Sequence, residues 1–160
     1  MPPSRASQLH SVEPDRDEFD GIIEDCAVLV PPGRYTLAYT GYRTAKFFGS
    51  AKVILSLAVI HPDDYAGIPL ERFYNVEGLI GPVGEKGRFK APARGHLARE
   101  YHALMGKSPR RDRITFGRLE GKRILGDVET VARDHAGKQI PPEASYSRVA
   151  RLISCLPELA

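Results

Sequence analysis

Basic and aromatic side chains interleave at several points of this chain, and the chemistry they suit is capture of a polyanion. Holding a single strand without sequence preference needs cations that follow its phosphates and aromatic faces on which bases stack, each stack worth about 1–3 kcal/mol. Tyr42-Arg43-Thr44-Ala45-Lys46-Phe47-Phe48, with Lys52 beyond it, has that mixture, and so do Arg72-Phe73-Tyr74 and Arg88-Phe89-Lys90. Arg110-Arg111-Asp112-Arg113 and the group Arg133, His135 and Lys138 add charge without an aromatic ring. The candidate binding set is therefore Tyr42, Arg43, Lys46, Phe48, Lys52, Arg72, Tyr74, Arg88, Lys90, Arg110, Arg111, Arg113 and Lys138. Phe73 and Tyr74 point to opposite faces of a strand, so one of them belongs to the core. Tyr35, Tyr39 and Tyr101 are assigned to the core as well. A charge run can also be plain solvated surface, and that alternative stays open for Arg88–Lys90 and Arg110–Arg113.

Catalytic constellations are absent from the sequence pattern. The five histidines form no HExxH motif and no cluster with cysteine. His96, Glu100 and His102 lie close in sequence, but positions i, i+4 and i+6 spread around a helix and do not converge on a metal. No serine occupies a G-x-S-x-G elbow. Gly106-Lys107-Ser108 ends like a phosphate-binding loop, yet Tyr101 stands where that motif requires glycine. Asp63-Asp64 reads as a turn. The pattern implies a non-enzymatic protein with no cofactor and no metal. An enzyme assembled from scattered residues such as His61, Asp127 and Glu129 is the weaker rival.

Charge is divided unevenly along the chain. Met1–Asp25 holds two arginines against seven acids, whereas Gly81–Arg123 holds twelve basic residues against four acids. The overall net charge of +3 conceals this split. An acidic leader before a basic body implies a polyanion partner and a tail that competes for the same surface. The leader is too polar to offset its ordering entropy and is expected to be a disordered tail over 1–25, with one folded domain over 26–160. Cys26 and Cys155 are far apart, which suits reduced thiols, with a disulfide between the chain ends as the alternative. Val53–Ile60 is too short to span a bilayer and no signal-peptide pattern is visible, so the expected location is cytoplasmic, away from membranes.

The elements that must position these residues are mainly β. Arg34–Lys46 alternates Tyr35, Leu37 and Tyr39 with Thr36, Ala38, Thr40, Tyr42 and Thr44, the period of a half-buried strand. Lys52–His61 repeats the pattern with Val53, Leu55, Leu57 and Val59 on one face, and Leu70–Val76 is a third strand. Cys26–Val30 is a candidate incoming strand, and Gly78–Gly87 reads as a mobile glycine-rich loop. Arg94–Met105 is the one helix, with Leu97, Tyr101, Leu104 and Met105 on one face and Gly106 to end it. Ile114–Leu119 is one short turn. Arg123–Arg133 is a fourth strand, His135–Lys138 a hairpin tip, and Tyr146–Ser154 a fifth strand or a terminal helix. Three strands, a helix and two strands is the chain order of an oligonucleotide-binding (OB) fold, a five-stranded barrel with one helix between its third and fourth strands.

Val30–Val76 also resembles small OB-type single-stranded-DNA-binding and replication-accessory proteins of phages and mobile genetic elements. The matching pieces are Val30-Pro-Pro-Gly-Arg-Tyr35, Gly49-Ser-Ala-Lys-Val-Ile-Leu-Ser-Leu-Ala-Val-Ile60, Asp64-Tyr-Ala-Gly-Ile-Pro-Leu70 and Arg72-Phe-Tyr-Asn-Val76. The resemblance implies single-stranded nucleic acid as partner, carried by Lys52, Arg72 and Tyr74. Replication, recombination or defence proteins are further implied partners, with homo-oligomerisation left open. One departure stands out: bacterial single-strand binders carry their acidic tail at the C-terminus, whereas this chain carries it at the N-terminus. The alternative function is a protein-interaction module that binds or inhibits a host nucleoprotein complex. Deleting residues 1–25 is expected to tighten oligonucleotide binding and steepen its salt dependence in fluorescence anisotropy. Unchanged affinity would assign the leader another role.

Overall fold

Alternating apolar residues write the first two strands, and one irregularity in them decides which way a key tyrosine points. The computed structural model describes residues 20–21, 28–106, 110–134 and 136–157. Strand β1 (Gly33–Phe47) pairs antiparallel with β2 (Ser50–His61), with register shifts between Thr36 and Leu37 and between Tyr39 and Gly41. The second shift slips the phase of β1 by one residue. Tyr39 then lies opposite Leu57, and Tyr42 lies opposite Leu55, so both tyrosines share the inner face of the sheet. Strict alternation would have put Tyr42 outside. Apart from Asp20 and Gly21, the acidic leader lies outside the described residues, as do Cys26, Lys107 and His135.

The remaining strands are β3 (Pro69–Asn75), β4 (Gly78–Ile80), β5 (Gly84–Glu85), β6 (Arg88–Lys90), β7 (Ile124–Val131) and β8 (Tyr146–Cys155). The helix α1 (His96–Met105) falls between β6 and β7. The Gly78–Gly87 stretch, read from its composition as a loop, is a strand-and-turn segment. Here β4 pairs with β6, while β5 joins β1 beside Arg43 and Thr44. Tyr146 onward is a strand and no terminal helix. Val28–Val30 forms no strand, but Val28 and Val30 are tied to Ser147 at the start of β8, and Val30 enters the core.

The main sheet runs β3-β2-β1-β7-β8. Its inner face buries Tyr35, Leu37, Val53, Leu55, Leu57, Val59, Leu70, Ile124, Val128, Val149 and Leu152. Over it α1 lays Leu97, Tyr101 and Leu104, and a short 3-10 turn at Phe116–Leu119 adds Phe116 and Leu119. The sheet curls until β3 and β8 come within 8 Å between Cα atoms, but these two strands do not pair. The five-stranded barrel expected from the element order is therefore corrected to an open, curled sheet. A bulged, strongly twisted sheet brings its edges together without the register needed for a last ladder.

A buried carboxylate spans the open seam. Glu100 of α1 is 7% exposed, and its Oε1 accepts bonds from Arg72 Nε (3.1 Å), the Tyr74 hydroxyl (2.6 Å) and the Leu152 backbone N–H (3.0 Å). Its Oε2 accepts a bond from Arg72 Nη2 at 2.6 Å. The Arg72 guanidinium also lies 4.3 Å from the centroid of the Tyr74 ring. One side chain thus links β3, α1 and β8, the three elements that meet at the seam. Burial pushes the Tyr74 hydroxyl well above its ordinary range, and the Glu100 charge adds to the shift, so the phenol remains a donor.

This arrangement corrects the assignment of Arg72 and Tyr74 to a binding face. They sit opposite Leu55 and Val53 on the inner side, and Tyr74 is 2% exposed. A base beside an aromatic looks the same in sequence whether it faces phosphate or a buried carboxylate. Glu100→Ala leaves Arg72, the Tyr74 hydroxyl and the Leu152 N–H without their acceptor. It is expected to destabilise the fold by about 3–5 kcal/mol, read from chemical denaturation. A loss below about 1 kcal/mol would show that the clasp adds little beyond ordinary hydrogen bonding.

Candidate functional site

Two basic segments distant in sequence converge on one cleft of about 730 Å³. Arg88 and Lys90 enter it from β6, and Arg111 and Arg113 enter from the connection after α1. Tyr42, Phe89, Ala98, His102 and Thr115 also line it. Arg88, Lys90, Arg111 and Arg113 make no ion pair among the described residues. Asp112 is engaged by Arg110, whose Nε and Nη2 each bond it at 3.0 Å. Those bonds hold the Asp112 carboxyl down at about 2, so it is ionised at any ordinary pH. The cleft keeps an excess of positive charge in spite of that acid.

Both basic segments are anchored by groups that carry no charge. The turn before β6 docks on β1: Gly84 N–H donates to Thr44 Oγ1, which in turn donates to the Gly84 carbonyl. Lys86 N–H donates to the Tyr42 carbonyl, and the Tyr42 hydroxyl donates to the Gly87 carbonyl at 2.8 Å. Gly87 is required by this close approach, because a Cβ there would sit 2.1 Å from Thr44 Oγ1. The second segment is held through Thr115, whose N–H donates to the Tyr101 hydroxyl at 3.1 Å. Phe116 then anchors it in the core.

Beneath the cations lies an aromatic cluster. Phe89 stacks on Phe116 with centroids 5.8 Å apart and meets Tyr42 edge-on at 6.1 Å. Tyr42 and Phe116 are 4.8 Å apart. Burial pushes the Tyr42 hydroxyl up, and the nearby Arg88 charge opposes that shift, which places cation and ring in one electrostatic neighbourhood. Tyr42 and Phe89 are half-buried, with cleft-lining surface left over.

The other candidate residues are dispersed. Arg43 points to the outer face and bonds Glu71 at 3.1 Å. Lys46, Phe48 and Lys52 gather at the far end of the β1–β2 hairpin, where Lys52 bonds Asn75. Lys138 is exposed in the β7–β8 turn, whose backbone is organised by Asp134 and closed by the Arg133–Gln139 bridge. Asp127 is shared by Arg34 and Arg151, and Glu129 is bonded by Arg148. Phe89, His102 and Thr115 were missed as site residues. Phe89 was legible as the ring between two bases, whereas His102 and Thr115 depend on where α1 packs.

The hairpin tip has a backbone feature of its own. Phe47 pairs with Ser50, leaving Phe48 and Gly49 as the two central residues with φ of 53° and 81°. Positive φ at both is the twist-matched geometry that favours Asn-Gly or Gly-Gly, and a bulky ring there costs about 1–2 kcal/mol.

Gly87→Ala is expected to push the turn before β6 off β1 and destabilise the protein by about 1–3 kcal/mol. Thr44→Ala in the same chain should restore part of that loss, measured as a double-mutant cycle in denaturation; additive losses would refute the contact. No protein-family model matches the chain and no curated protein matches its sequence, so function is argued from the site itself.

Proposed function

We propose that the protein binds single-stranded nucleic acid through the cleft between β6, α1 and the Arg110–Thr115 connection. The observation that carries this is the convergence of Arg88, Lys90, Arg111 and Arg113 over the ring cluster of Tyr42 and Phe89. Four cations from two segments supply phosphate neutralisation, and the half-buried rings supply faces for bases. The cleft is walled on one side by α1, through Ala98 and His102, and its half-buried rings favour an unstacked strand over a duplex, whose bases are already stacked. In the proposed mechanism the cations capture the backbone first and the rings then take up bases.

The fold supports the same reading. The strand order β3-β2-β1-β7-β8, with the helix after the third long strand and lying across the gap between β3 and β8, fits an OB barrel left partly open. On this reading the protein acts without catalysis, as an accessory of a phage, plasmid or integrated element. The cleft is lined from β1, β6, α1 and the connection after α1, so the footprint includes that basic segment as well as strand residues.

Anisotropy with a fluorescent oligonucleotide at several salt concentrations tests the proposal. Four phosphate contacts predict a slope of log affinity against log salt of about −3, and Arg111→Ala or Arg113→Ala should each reduce its magnitude by about 0.7. Absence of binding at micromolar protein in low salt would overturn the proposal. A nuclease-resistant protein partner that oligonucleotides do not displace would favour the protein-interaction alternative instead.

A further inference from the structure

Histidine is the side chain whose charge changes between about pH 5 and 8, and His102 is the histidine that lines the cleft among the described residues. The other groups there hold one state over that range. Arginine and lysine side chains are cations throughout it. Asp112 is already ionised, and burial pushes the Tyr42 hydroxyl up. The His102 ring is half-buried on the cleft side of α1, one turn after Ala98. It meets Tyr101 edge-on at 6.0 Å and makes no hydrogen bond or ion pair among the described residues. Asp112 shares the cleft, but its Oδ1 and Oδ2 accept bonds from Arg110. On α1 itself, Glu100 is clasped at the seam by Arg72, and Arg99 is turned to the Arg94 carbonyl. His96 is exposed at the start of the helix. The imidazole therefore shares the cleft with Arg88, Lys90, Arg111 and Arg113 and has no carboxylate paired to it.

A phosphate brought beside a neutral imidazole favours the protonated ring, which then donates a charge-assisted hydrogen bond to it. Strand and proton are then linked, and each strengthens the hold on the other. We infer that His102 is a proton-coupled phosphate contact, which takes up a proton when a strand enters the cleft and so ties affinity to pH. This rests on the single-strand reading of the cleft and adds regulation to it. The complex holds more protons than the free protein, so affinity rises as pH falls. One proton allows a gain of at most about tenfold per pH unit.

Anisotropy with a fluorescent oligothymidylate at fixed low salt reads this coupling. The probe carries no terminal phosphate, which would titrate in the same range. Wild type is expected to bind about tenfold more tightly at about pH 6 than at about pH 8. His102→Gln should bind equally at both, whereas His96→Gln should keep the wild-type dependence. His102→Lys, charged throughout, should bind more tightly than His102→Gln at about pH 8 and lose the pH dependence as well. A merely structural residue would not give that pair of results. Calorimetry of wild type in buffers of different ionisation enthalpy should show net proton uptake that His102→Gln lacks. Binding by wild type that ignores pH, or a dependence that survives in His102→Gln, would overturn the contact while the cleft stands. If wild type binds at neither pH, the cleft reading fails and the contact falls with it.

Discussion

A curled sheet with one apolar face has to do something with its two end strands, and in this protein a single carboxylate does most of it. β3 and β8 come close but do not pair, so their facing edges would otherwise leave polar groups buried against the core. Glu100 takes the Leu152 N–H from one edge and the Arg72 and Tyr74 side chains from the other. Its Oε1 accepts three of these bonds and its Oε2 one. A buried ion pair is not by itself a source of stability, because desolvation offsets much of its attraction. The four bonds to Glu100 do tie α1 to both edges of the seam at once.

That seating carries through to the cleft. Glu100 and Tyr101 are neighbours on α1, one clasping the seam and the other holding Thr115 through its hydroxyl. Ala98 and His102, four residues apart, present the same helix to the cleft wall. Three successive positions around one turn therefore serve the seam, the loop and the wall. A shift of the helix that loosened the clasp would also move Arg111 and Arg113 relative to Arg88 and Lys90, so stability and site geometry are coupled through a few side chains.

Much of this was legible in the residues. The first three long strands, the helix with Leu97, Tyr101 and Leu104 inward, the short turn near Phe116 and the strand over 124–131 follow from apolar spacing and from glycine and proline punctuation, whereas the last strand read equally as a helix. What escaped depended on tertiary position. The bulge after Tyr39 reversed the facing of Tyr42, and no local pattern announces a bulge in a run of threonines and tyrosines. Arg72 and Tyr74 carried the composition of a binding strand, but a glutamate from a helix twenty-six residues beyond Tyr74 drew them inward. The Gly78–Gly87 segment looked like slack, yet Thr44 and Tyr42 fix it by backbone bonds that side-chain patterns do not encode. Convergence of Arg88–Lys90 with Arg111–Arg113 was likewise invisible, since twenty intervening residues and a helix separate them.

The pairing of charges elsewhere on the sheet has an effect beyond the sheet itself. Arg34 and Arg151 share Asp127, Arg148 bonds Glu129, and Arg43 bonds Glu71, so three carboxylates tie down four arginines of the sheet. Arg88, Lys90, Arg111 and Arg113 around the cleft make no ion pair among the described residues. On the proposed reading, arginines held against carboxylates pull less on an approaching polyanion than cations without such partners, so the attraction would be weighted toward the cleft. The paired face of the sheet would then contribute to encounter by competing less.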